Sequence, residues 1–128
     1  MNIPRVLIVD DNAINVELVM FVLGAAAFEV ESAASASQAM MQISAFRPDL
    51  ILMDVQMPDI DGIELTRRIK ADPATQDITV VAFTAYAMKG DEARMRAAGC
   101  DGYISKPIDV STFAAQISAC LPGGLDTR

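Results

Sequence analysis

Apolar residues recur along this chain in two alternating patterns. Short continuous runs of aliphatic side chains are each followed by a stretch whose apolar positions fall three or four apart. Val6-Leu7-Ile8-Val9 is the first run, the mark of a strand covered on both faces. It ends in Asp10-Asp11-Asn12, where Asp11 or Asn12 caps a helix; Ile14, Leu18, Phe21, Val22 and Ala25 then follow at helical spacing. Gly24 is placed to interrupt or end that helix. Residues 28–32 alternate as a weaker second strand. Ser35 caps a second helix with Ala39, Met40, Ile43 and Phe46 on its apolar side, and Pro48 breaks it. Leu50-Ile51-Leu52-Met53 is the third strand, ending at Asp54. A loop from Val55 to Ile60 leads to Asp61, the cap of a third helix that turns Ile63, Leu65 and Ile69 inward and closes at Asp72-Pro73.

The fourth strand covers 78–83 and ends at Thr84. Residues 87–98 form a helix with a sparse apolar face, with Gly90 inside it and Gly99 as its stop. Residues 102–105 are the fifth strand, followed by Lys106-Pro107. Residues 109–121 are the last helix, with Val110, Phe113, Ala114, Ile117 and Leu121 at helical spacing. Strands alternating with helices imply an α/β fold with a parallel sheet covered on both faces. Five such units suit a doubly wound, flavodoxin-like (βα)5 sheet of order 2-1-3-4-5, with the ligand site at the carboxyl ends of strands one and three. The expected organisation is one domain over 1–121 and a short tail over 122–128.

Composition narrows the function. Hydrophobic residues are 52% and charged residues 21% of 128, which excludes intrinsic disorder. No apolar run is long enough to span a bilayer. The net charge of -7 repels phosphate backbones, so neither nucleic acid nor a membrane surface is an expected partner. His is absent, which removes imidazole bases and His-containing metal sites; two Cys, Cys100 and Cys120, are too few for a disulfide framework and read as reduced thiols of a cytoplasmic protein. Met20, Met40 and Met41 read as core filler, and Arg67-Arg68 as part of a solvated face.

The polar residues that follow the strands carry the chemistry. Asp10 and Asp11 follow strand one, Asp54 strand three, Thr84 strand four and Lys106 strand five. Singly each reads as a cap or turn residue; together they should gather at the ligand edge. Two carboxylates ~5 Å apart repel by roughly 3 kcal/mol at an effective dielectric near 20. Lys106 offsets part of that, and a hard divalent cation is the complement of an all-oxygen donor set, Mg²⁺ before Mn²⁺. Carboxylates, Mg²⁺ and an ammonium suit a phosphoryl group. A carboxylate nucleophile needs no general base, and the central position of Asp54 makes it the expected acceptor.

Four segments resemble the receiver domain of bacterial two-component response regulators: Val6 to Asn12, Leu52-Met53-Asp54-Val55-Gln56-Met57-Pro58, Thr84-Ala85, and Tyr103-Ile104-Ser105-Lys106-Pro107. The resemblance extends from residue 5 to about 121. It implies that Asp54 accepts phosphate from a phosphohistidine of a sensor histidine kinase or a histidine phosphotransfer protein. It implies Mg²⁺ held by Asp11, Asp54 and the backbone carbonyl of Gln56, with Asp10 acting through a water. Lys106 would pair with phosphoryl oxygens, aided by a cis Lys106-Pro107 bond; Thr84 would donate its hydroxyl and Tyr103 would rotate inward. The helix 4–strand 5–helix 5 face would meet a downstream protein, the chain being a monomer or a dimer. Gln56 and Tyr86 are candidates for setting the acyl phosphate lifetime.

Residues 84–92 and 99–108 are similar to single-domain cell-cycle regulators of that family, and also to receivers fused to hybrid histidine kinases. The expectation is a stand-alone regulator that turns over nothing but its own phosphorylation, with a receiver excised from a hybrid kinase or other multidomain regulator as the alternative. A Mg²⁺-dependent phosphohydrolase would need two Asp separated by one residue after strand one, and Asp10-Asp11-Asn12 fails that pattern. A flavin module would need a hydroxyl- or glycine-rich phosphate loop there, and the same residues would repel the phosphate.

Overall fold

The computed structural model describes residues 3–55, 62–84, 89–106 and 108–121, with the side chains of 89–92 left aside. Ten elements alternate: β1 (Arg5–Val9), α1 (Ala13–Ala25), β2 (Glu29–Ala33), α2 (Ala36–Phe46), β3 (Leu50–Asp54), α3 (Gly62–Ala71), β4 (Thr79–Thr84), α4 (Lys89–Ala98), β5 (Gly102–Ser105) and α5 (Phe113–Cys120). The strands are all parallel and ordered β2-β1-β3-β4-β5, the expected doubly wound arrangement. The proposed tail over 122–128 lies outside the described residues.

The apolar runs become the inner strands because both of their faces are covered. Leu7, Val9, Ile51, Met53, Val80 and Ala82 point to a core closed by α2, α3 and α4. Val6, Ile8, Leu50, Leu52, Val81 and Phe83 point the other way, to a core closed by α1 and α5. Cys100 belongs to the first core and Cys120 packs against the second, so the two sit across the sheet, and neither is in a disulfide. Burial, helped by the nearby Asp101 carboxylate, pushes the Cys120 thiol above its ordinary value.

The first helix is phased differently from its expected face. Asn12, rather than Asp11, is its cap, accepting from the amides of Ile14 and Asn15. Val19, Val22 and Leu23 are buried, whereas Ile14 is 76% and Phe21 73% exposed, and Leu18 and Ala25 also face solvent. The helix is apolar on two sides, and both sets recur at helical spacing, so period alone could not choose between them. It runs through Gly24, and the chain reverses at Ala27 with a φ of 70°. Met20, Met40 and Met41 are exposed rather than core, and Val110 is exposed because α5 starts only at Phe113. Before it, Asp109 closes a turn by accepting from the Ser111 amide and hydroxyl, which holds its carboxyl below the ordinary value. Arg67 and Arg68 are solvated and paired with Glu64, as expected.

The C-terminal end of α4 is held against α3. Lys70 Nζ donates to the carbonyls of Gln76 (3.2 Å) and Ile78 (2.7 Å) and to Asp101 Oδ2 (2.8 Å), using all three of its protons. The same oxygen accepts the Val80 amide at 2.9 Å. Gly99, at φ +108°, ends α4 where a Cβ would stand 2.9 Å from Lys70 Cγ, so the stop needs glycine for both backbone and space.

The phase of α1 is testable. Leu23→Ala should lower stability by about 2–4 kcal/mol, while Phe21→Ala should stay within about 0.5 kcal/mol of the parent, both read from urea unfolding. The reverse order would restore the other face as the buried one.

Candidate functional site

β1 and β3 are neighbours, with Val9 opposite Met53, so Asp10 and Asp54 leave the sheet side by side. Asp54 lies opposite Phe83, and Thr84, the last residue of β4, lies opposite Ser105, which Lys106 follows. Strand order alone therefore brings the polar residues at the ends of four strands to one edge. Carboxylate oxygens of Asp10, Asp11 and Asp54 lie within 4.8 Å of one another. Asp10 and Asp54 are buried and Asp11 is exposed.

Lys106 enters this cluster from β5. Its Nζ is 2.9 Å from Asp10 Oδ2 and 3.6 Å from Asp54 Oδ1. It also stands 5.0 Å from the centre of the Phe83 ring, whose face favours a cation. The Lys106 amide donates to the Thr84 carbonyl at 2.7 Å, which ties the two chain segments together at the point where both enter the site. Thr84 is buried, and Tyr103 is half-buried against the core on the α2–α3–α4 side.

Asp10 is fixed by its backbone and one oxygen. Its amide donates to the Ala33 carbonyl at 3.0 Å, and Oδ1 accepts the Asn12 amide at 2.9 Å. Oδ2 is buried and takes no aligned hydrogen bond, so its short contact with Lys106 is an ion pair only. Because Asn12 caps α1, Asp11 makes no hydrogen bond among the described residues and its carboxylate stays available at the rim. Among the described residues three carboxylates face one ammonium, so negative charge is in excess there. The donors are all oxygen and one buried oxygen is under-coordinated, which is the chemistry of a hard divalent cation.

Asp10, Asp11, Asp54, Thr84 and Lys106 are thus brought to one place, as expected. Gln56, Tyr86 and Pro107 lie outside the described residues, and with them the expected carbonyl ligand, the lifetime candidates and the Lys106-Pro107 bond. Two residues of the site were missed in the sequence. Phe83 lies beneath Lys106; a strand-ending aromatic carries no signal of that. Gly62 opens α3 against the end of β3. A Cβ there would run into the Asp54 carbonyl oxygen and stand 3.1 Å from Val55 Cα. A glycine in a helix's first position, where it weakens the helix, was the available clue.

The sequence matches the response regulator receiver domain over residues 6–118. It is 43% identical over 116 residues to the polar-differentiation response regulator DivK of Brucella anthropi, covering 91% of this chain and 94% of that one. The DivK of Brucella melitensis matches at the same identity and coverage. Among solved structures, the chemotaxis protein CheY4 of Vibrio cholerae superposes with a TM-score of 0.88 at 26% identity, over 94% of this chain and 100% of that one. The receiver domain of a Pseudomonas aeruginosa sensor histidine kinase, with a magnesium ion coordinated in its active-site cleft, superposes with a TM-score of 0.82 at 29% identity, over 91% and 96%.

Two substitutions test the geometry. Asp11→Asn, in chelator and low salt, should raise stability by about 1 kcal/mol, the repulsion being reduced by the exposure of Asp11. In a thermal melt that is a rise of about 3–5 °C. Gly62→Ala should lower stability by about 1–3 kcal/mol by denaturant titration, because the Asp54 backbone must move to admit the methyl group.

Proposed function

The chain belongs to the response regulator receiver family, and from that premise we propose that Asp54 is the residue that carries its signal, as an acyl phosphate. The observation that supports this most is the burial of Asp54 between Asp10, Asp11 and the Lys106 ammonium, at the carboxyl edge of the sheet. The donor is a phosphohistidine on a sensor histidine kinase or a histidine phosphotransfer protein. A carboxylate oxygen of Asp54 attacks phosphorus and the P–N bond breaks. Its electron pair goes to the imidazole nitrogen, which takes up a proton. The chain itself contains no His, in keeping with a donor on a partner.

Asp11 and Asp54 would hold Mg²⁺ directly, with the Gln56 carbonyl, and Asp10 through a water; Mn²⁺ would substitute. When bound, the ion offsets charge on the phosphoryl oxygens. The all-oxygen donor set and the under-coordinated Asp10 Oδ2 favour this ion, as does the magnesium in the Pseudomonas relative. Lys106 presents its ammonium to the phosphoryl group as a point charge. Thr84 donates its hydroxyl to a phosphoryl oxygen, and Tyr103 turns inward behind it. The added charge favours the state in which Thr84 is close, and the face of α4, β5 and α5 passes that change to a downstream protein.

The donor must approach the rim where Asp11 is exposed. The stripe of Ile14, Leu18 and Phe21 starts at the second residue of α1, three residues on from Asp11, and offers an apolar face for it. The DivK relatives are matched over 94% of their length, which favours a regulator made of a receiver alone over one excised from a hybrid kinase. The proposal includes a cytoplasmic location, consistent with thiols that are not cross-linked. It also includes no turnover beyond the chain's own phosphorylation and dephosphorylation.

Incubation with Mg²⁺ and acetyl phosphate, followed by intact-mass measurement, tests the reading. One phosphoryl group should add to the parent, and none to Asp54→Ala or in chelator. Lys106→Met should slow the gain by roughly tenfold or more. In the same assay Gln56→Ala and Tyr86→Ala should alter the decay half-life. Modification of Asp54→Ala would remove the assignment.

A further inference from the structure

A cavity of about 320 Å³ lies between the C-terminal end of α2 and the loop joining α3 to β4. Its residues precede β3 and β4, so it opens at the sheet edge opposite the acidic cluster. Ile43, Pro48, Ala74 and Ile78 supply apolar walls, and Ser44 and Thr75 bring hydroxyls to the rim. The Thr75 hydroxyl donates to the Ile69 carbonyl at 2.7 Å, which fixes the loop and leaves the oxygen free to accept.

Arg47 is the one charged residue of this lining, and its guanidinium has no hydrogen-bond or ion-pair partner among the described residues. It stands at the C-cap of α2 with a φ of 54°, a left-handed position that suits glycine or asparagine. An arginine there carries a backbone strain that no side-chain hydrogen bond or ion pair offsets among the described residues. Two carboxylates lie beside the lining residues in sequence, Asp49 after Pro48 and Asp72 before Ala74, and both are engaged with amides: Asp49 Oδ2 accepts from Arg5, and Asp72 Oδ1 from Ala74. Helix α2, from Ala36 to Phe46, has no charged residue, and Met40 and Met41 are exposed along it. A neutral, adaptable surface thus leads to a cavity of mixed apolar and polar lining, with a cation at its mouth that is unpaired among the described residues, on a chain whose net charge is -7.

We propose that this cavity docks a peptide segment of a partner protein, which places an apolar side chain among Ile43, Pro48, Ala74 and Ile78 and an adjacent carboxylate on Arg47. Met40 and Met41 cover the flanking residues of that segment. The site is separate from the phosphoacceptor and does not depend on it.

Titration of the ¹⁵N-labelled full chain with acetyl-Leu-Glu-Glu-amide, followed by amide chemical shifts, tests the proposal. Saturable shifts should centre on Ser44, Arg47, Thr75 and Ile78. Acetyl-Leu-Lys-Lys-amide should bind at least about tenfold more weakly. Arg47→Gly, which suits the left-handed turn and keeps the cavity, should weaken the acidic probe by a similar factor while the rest of the spectrum stays unchanged. Asp54→Ala should bind as the parent does. Equal binding of the two probes, unchanged binding by Arg47→Gly, absence of shifts at these residues, or shifts reproduced by sodium acetate alone would each overturn it.

Discussion

Mutual repulsion among three carboxylates, fixed in place by parallel strands, is the constraint on which this molecule turns. Asp10 and Asp54 cannot separate without displacing β1 or β3. The residues that set those strands, Val6 to Val9 and Leu50 to Met53, are completely buried. The hydrophobic core therefore holds together what Coulomb's law drives apart. Lys106 relieves part of the strain from the neighbouring edge, and Phe83 supports the ammonium from below. The remaining negative charge is available for an added cation, and through it for an incoming phosphoryl group.

The strands and their order were legible because continuous aliphatic runs admit few other readings. β5 matches its expected limits, and β1, β3 and β4 differ from theirs by a residue at one or both ends. The helices were legible as helices but less so in orientation. In α2, where the surrounding sequence is polar or small, Ala39, Ile43 and Phe46 were correctly turned inward, while Met40 and Met41 were misplaced. In α1 almost every residue is apolar, so rotation about the axis is decided by the packing of Val19, Val22 and Leu23 against the sheet, which the pattern does not record.

The same division holds at the site. Asp10, Asp11, Asp54, Thr84 and Lys106 could be found because each ends a recognisable strand or lies within two residues of its end, and the winding rule gathers such positions. Gly62 and Phe83 act through proximity, one by lacking a side chain and one by lying under another, and neither leaves a periodic trace. Arg47 is of the same kind: its unusual backbone angle and its place at a cavity mouth follow from how α2 meets β3.

The clasp of Lys70 on Asp101, with Gly99 closed over it, has a mechanical corollary. A displacement of α4 that preserves those bonds is more readily a swing about its C-terminal end than a slide along its axis. Ten helical residues make an arm about 15 Å long. A tilt about that fulcrum moves the N-terminal end of the helix most and its C-terminal end least. The helix is thus anchored on one side only, which leaves its other end the place where a rearrangement costs least.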